Sequence, residues 1–122
     1  ELSIDGCDTD EIPGSNGDFG YDISNPVPTQ GIQGSTRYLG RLRAQDGTKV
    51  AYSRIGSFTS PVTSSLVDGY LISHADGTAL GTLYVAPYNK RNSTKAPEGL
   101  SLVLVSNSQA SAMFNRQEET QK

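Results

Sequence analysis

Two strand-like runs joined by an Asp-Gly pair occupy the middle of the chain, LVDGYLISHADGTALGTLYVAPY from Leu66 to Tyr88, with Asp76-Gly77 at the joint. A two-residue hairpin turn whose twist matches its strands needs positive φ at both central positions, which Asp tolerates and Gly prefers. Such a turn sets a register. Ala75 then faces Thr78, Tyr70 faces Leu83 and Gly69 faces Tyr84, so aromatic side chains meet small or aliphatic partners across the ribbon. Large apolar residues fall on both faces, Leu71 and Tyr84 on one and Tyr70, Ile72 and Leu83 on the other. A ribbon of this kind is expected to be covered on both sides.

The 122 residues suit one domain, and folding at that size removes roughly two thirds of the chain's surface from water. With apolar content of only 34% and 13 glycines, a good part of the chain is expected to be loop. Thr48 to Ile55, TKVAYSRI, reads as a strand with Val50 and Tyr52 on one face and Ala51 and Ile55 on the other. Leu100 to Val105, LSLVLV, reads as a buried strand beside the hairpin. Thr36 to Ala44, TRYLGRLRA, admits two readings. As a strand, Asp46-Gly47 closes a second hairpin pairing Arg43 with Val50 and Leu39 with Arg54. As a helix, Ser35 or Thr36 caps it, Tyr38, Leu39 and Leu42 share one side, and Gly47 stops it. The helix is preferred, because Leu39 and Leu42 adjoin on a helix and diverge on a strand. Asn25-Pro26-Val27-Pro28 is a stiff connector, since two prolines hold themselves and the residues before them extended.

These elements give an expected α+β fold: a single small domain with a mostly antiparallel sheet of about four strands (Lys49 to Ile55, Val67 to His74, Thr78 to Ala86, Leu100 to Val105), one short helix before the first, and an irregular N-terminal arm. Residues 1–24 form an acidic, Gly-rich arm, 25–106 the core domain and 107–122 a polar tail.

Charge narrows the function classes. A net charge of −3 disfavours nucleic acid and anionic membranes, both of which reward a basic excess. The charge is unevenly spread: seven carboxylates and no Lys or Arg lie between Glu1 and Asp22, whereas Arg37, Arg41, Arg43, Lys49 and Arg54 are opposed by Asp46 alone. The acidic arm is expected to be solvated. Cys7 is the sole cysteine, so no disulfide forms within the chain. No run approaches the ~20 apolar residues of a membrane span and no basic-then-apolar leader is present. A cytoplasmic location is expected, and a chain starting at Glu1 is also compatible with a processed secreted form.

Site motifs are sparse. Asp8-Thr9-Asp10 imitates the start of a calcium loop, but Ile12 and Pro13 stand where a ligand and a turning Gly belong. Gly14, Gly17 and Gly20 have neither a preceding strand nor a following Lys-Ser/Thr, so they do not make a phosphate loop. Asn92-Ser93-Thr94 matches a glycosylation sequon, a pattern of low specificity. His74 is the only histidine, which excludes multi-His zinc sites, and no Gly-x-Ser-x-Gly elbow accompanies it. No metal or cofactor is expected. One polar constellation stands out: Arg54 and Ser57 at the end of one strand, with Tyr88, Lys90 and Arg91 following another. Converging at one sheet edge, these donors would suit a carboxylate or phosphate. The simpler arrangement, preferred here, pairs Arg54 with Asp68 or an N-terminal carboxylate and leaves Lys90 and Arg91 to keep a loop soluble. Pro87 and Pro97 bracket that loop, and Ala96-Pro97-Glu98-Gly99 reads as a tight turn.

The phrases GDFGYDISNPVP, YLGRL, SRIGS and YVAPYNKRNSTKAPEG, in that order, resemble a family of small bacterial proteins to which no activity is attached. The resemblance spans Gly17 to about Val103 and departs from the family pattern near Ala51, Ser53 and Asn89, where aromatic or His residues are usual. It implies a bacterial origin and one α+β domain. The expected function is that of a non-enzymatic binding module, of accessory or immunity type, whose partner is another protein. The alternative is a small enzyme or anion-binding protein using the basic cluster.

Overall fold

A computed structural model of the chain describes residues 6–103. It is a small α+β domain. In chain order the elements are β1 (Val27–Pro28), α1 (Gly31–Gly40), β2 (Leu42–Arg43), β3 (Ala51–Phe58), β4 (Val67–Ser73), β5 (Ala79–Ala86) and β6 (Ser101–Leu102). Four strands form one sheet in the order β1-β5-β4-β3, and β2 pairs with β6 in a separate two-stranded sheet. Among the described strands only β1 against β5 is parallel.

The central hairpin is present, with Tyr70 opposite Leu83 and Gly69 opposite Tyr84. Its tip differs from the two-residue turn. His74 N–H donates to Thr78 O at 2.8 Å and Gly77 N–H to His74 O at 2.9 Å, so Ala75, Asp76 and Gly77 form a three-residue loop with Gly77 at φ 95°. That loop moves the pairing by one position, to Ser73 opposite Ala79. An irregularity between Ile72 and Ser73 leaves Leu80 unmatched and moves it back, so Ile72 faces Gly81. Two one-residue offsets of opposite sense cancel, which is why the ribbon keeps its expected register although Ala75 does not face Thr78. The segment Ala44 to Thr48 repeats the turn: Gly47 N–H donates to Ala44 O and Ala44 N–H to Thr48 O. Asp46 and Asp76 each accept the N–H two residues on, at 3.0 and 2.9 Å, which is the local turn chemistry Asp favours.

The helix-or-strand ambiguity at Thr36 to Ala44 resolves into both. The helix begins five residues earlier than Thr36, at Gly31, and ends at Gly40; Leu42 and Arg43 are then extended. Neither Ser35 nor Thr36 caps it. Gln30 stands at the cap without a side-chain bond, and its N–H is taken by Asn92 Oδ1 at 2.8 Å. Asn92 Nδ2 also donates to Gly34 O, and a Cβ at Gly34 would stand 2.6 Å from Asn92 Oδ1. Three glycines make this a poor helix by propensity; tertiary contacts hold it. Tyr38 and Leu39 are buried beneath it with Val27, Leu42, Ile72, Leu83 and Val85. Arg43 pairs with Lys49, not with Val50, and Leu39, lying in the helix, does not face Arg54.

The described residues 100–103 do not form the buried strand beside the hairpin that Leu100 to Val105 suggests. Ser101–Leu102 pairs with β2, and Val103 is 45% exposed. Leu104 and Val105, like the tail 107–122, lie outside the described residues. The connector Asn25 to Pro28 runs along the sheet, with Val27 fully buried and Pro28 in an edge strand where no N–H is needed on the outer side.

The hairpin's two faces have different fates. Tyr70, Ile72, Leu83 and Val85 face the helix side, whereas the opposite face is covered at one end only, by Ile12, Ile23, Phe58 and Val62 around Val67, Tyr84 and Ala86. Leu71 on that second face remains 41% exposed.

Candidate functional site

The basic constellation divides into two groups. In the first, Arg54 Nη2 donates to Asp68 Oδ1 at 3.0 Å and to Ser57 Oγ at 2.5 Å, and Ser57 Oγ donates to Asp68 Oδ1 at 3.3 Å. Residues three apart on a regular strand point to opposite faces. Here the pairing skips Ile55, setting Arg54 opposite Tyr70 and Ser57 opposite Asp68, so the bulge turns both side chains to one face. Beside them Tyr52 and Tyr70 meet edge to face, with ring centroids 6.1 Å apart. Burial pushes the Tyr70 hydroxyl's pKa up, with the Asp68 charge adding to it.

The second group ties the N-terminal segment to the loop after β5. Arg91 donates to Asp8 at 2.9 Å and to Asp10 at 3.0 Å, and Lys95 pairs with Glu11. Thr94 N–H donates to Asp10 Oδ1 at 2.8 Å; this bond, then Arg91, holds the Asp10 carboxyl below the ordinary carboxylate value despite some desolvation. Lys95 does the same for Glu11. The described part of the arm is therefore docked, contrary to the solvated arm its charge run suggests. Ile12 and Phe19 are each 7% exposed, and those buried side chains supply a drive that a charge count does not register. Asn89 and Ser93 are buried within the loop, Asn89 Oδ1 accepting from Cys7 N–H and Ser93 Oγ donating to Asp10 O.

Among the described residues no ion pair or hydrogen bond joins Arg54 and Ser57 to Tyr88, Lys90 or Arg91. Tyr88 instead lines a cleft of about 400 Å³ with Cys7, Ile12, Val62, Leu66 and Asn89. Lys90 is exposed, and its backbone N–H donates to Cys7 O. No described group of three or more His, Cys, Asp and Glu is placed to hold a metal ion, and no described helix is long and apolar enough to cross a membrane.

A feature the sequence does not advertise is the outer edge of β3. The strand is last in its sheet, residues 51–55 are all exposed, and no described residue hydrogen-bonds to its outer backbone edge. Tyr52 is 38% and Ile55 52% exposed, with Leu71 next to them on the neighbouring strand. The signal for it in AYSRIGSF is weak: the strand lacks the clean apolar alternation of a half-buried strand.

No protein-family model, curated protein or solved structure matches this chain.

Proposed function

We propose that this chain is a non-enzymatic protein-interaction module that receives an extended segment of a partner along the edge of β3. The observation behind this is the outer edge of an eight-residue strand that no described residue covers. Unpaired strand N–H and C=O groups are a template for another strand, and of the devices that blunt such an edge β3 has the charge of Arg54 and the bulge at Ile55, both beyond its first three residues. The bulge at Ile55 interrupts the ladder, so regular pairing runs over Ala51 to Arg54. Side chains of the added strand would meet Tyr52 on one face and Ile55 on the other. That alternation supplies specificity while the backbone supplies affinity.

An anion receptor built on Arg54 and Arg91 is the rival. It begins at a disadvantage, because each guanidinium already has a carboxylate partner.

The test is selection from a random twelve-residue peptide library, followed by backbone hydrogen exchange on the bound full chain. Selected peptides should slow exchange at residues 51–55, and combining Tyr52→Lys with Ile55→Lys should weaken them at least tenfold while the chain stays folded by circular dichroism. Enriched peptides that protect only the cleft around Tyr88, or no enrichment at all, would remove the edge from consideration.

A further inference from the structure

We infer that the segment received at β3 carries a cluster of carboxylates, read by a strip of cations made of Arg37, Arg41, Arg43 and Lys49. The inference rests on the strand-edge proposal and adds the partner's chemistry to it. Arg37 and Arg41 are one helical turn apart at the end of α1, where side chains at that spacing are neighbours. Arg43 Nη1 donates to Gly40 O and Leu42 O, both at 3.0 Å, which brings a third guanidinium to the same helix end. Lys49 faces Arg43 across an antiparallel bridge and lies two residues before β3. The strip thus runs from the helix end to the start of the free strand.

Each carboxylate found in an ion pair among the described residues is paired outside the strip. Among the described residues Asp8 and Asp10 bind Arg91, Glu11 binds Lys95 and Asp68 binds Arg54, and none of the four cations is in an ion pair. Asp46, in the same hairpin as Lys49, turns Oδ1 to the N–H and hydroxyl of Thr48. The negative end of the helix accounts for cations in its last turn; it does not account for Lys49, two residues before β3. Within residues 37–49 four cations stand against Asp46 alone, a balance opposite in sign to the net charge of −3, and a cationic surface selects and orients an acidic partner. Polypeptide is favoured over nucleic acid because the strip leads to a strand edge whose unpaired N–H and C=O groups an extended peptide backbone can match and a phosphodiester backbone cannot.

Two synthetic peptides separate the outcomes: one alternating Val and Thr with four terminal glutamates, the other with glutamines in their place. By fluorescence anisotropy in about 50 mM NaCl, the full chain should bind the glutamate peptide at least tenfold more tightly. The preference should shrink severalfold near 500 mM salt as screening grows. It should also vanish when Arg37→Glu, Arg41→Glu and Lys49→Glu are combined, with Lys49→Glu alone as the milder variant if the triple change impairs folding. Equal affinity for both peptides, with β3 amides still protected, would overturn the acidic requirement and leave the edge proposal standing. A glutamate preference without β3 protection would keep the strip and dismiss the edge. Tighter binding of a single-stranded oligouridylate than of the glutamate peptide would overturn the assignment to polypeptide.

Discussion

Replacing Ile12 by Ala distinguishes a docked N-terminal segment from a solvated one, and the structure sets the size of the effect. Ile12 is 7% exposed and packs with Val67 and Ala86, supported by Ile23, Phe58 and Val62. The change removes three buried carbons, worth about 0.8 kcal/mol each, or about 2.4 kcal/mol in transfer free energy. A residual cavity would add to that in a deep core. Here Ile12 also lines the cleft of about 400 Å³, so water reaches the vacated volume and the cavity contribution stays small. The expected loss is about 2–3 kcal/mol, which at roughly 4–8 °C per kcal/mol lowers Tm by about 8–24 °C. Urea unfolding monitored by tyrosine fluorescence and circular dichroism measures it, with Ile32→Ala as the internal control. Ile32 is 71% exposed on the helix, so the same chemical change there should stay within about 0.5 kcal/mol. Equal and small effects at both positions would refute docking of the segment.

Other contacts set three further outcomes. Asp10 has a folded pKa below its ordinary 3.8, so its contribution is present above that value and is lost as pH falls through the lower folded one; the Thr94 amide resonance should shift in that acid window, and Asp10→Asn should abolish the titration. A Cβ at Gly69 would stand 2.7 Å from Phe58 Cε2, in a ring that meets Tyr84 edge to face; Gly69→Val should cost about 1–3 kcal/mol in chemical denaturation, and adding Phe58→Leu should recover part of it. Tyr38 hydroxyl donates to Lys95 O at 2.6 Å and burial raises its pKa well above the ordinary tyrosine value; Tyr38→Phe should cost about 1 kcal/mol, and the wild-type phenol should resist titration at 295 nm until the chain unfolds.

The central hairpin is legible in the sequence because both its signals are local. Asp-Gly bends the chain wherever it is placed, and the alternation of Tyr70 and Ile72 against Leu71 marks the two faces whatever covers them. Even there, the agreement in register hides a loop and a bulge that compensate one another. The basic constellation is half legible. Arg54 does meet Asp68, as the simpler pairing requires. That Ser57 joins them depends on the bulge at Ile55, for which strict alternation has no place. The start of the helix is not legible, because Gly31 and Gly34 argue against a helix by propensity. What permits it is Asn92, 58 residues away in sequence, bonding Gly34 O.

Local chemistry in the chain therefore determined where the turns fall and the two faces of the ribbon, since each depends on residues within a few positions of one another. Only the folded structure decided that the acidic segment packs, that Ser101–Leu102 leaves the main sheet for β2, and that β3 ends the sheet with no described residue over its edge. Those outcomes depend on which distant surfaces compete to bury one another. Burial is non-directional, so the pattern along one strand says which side chains seek cover and not which segment provides it.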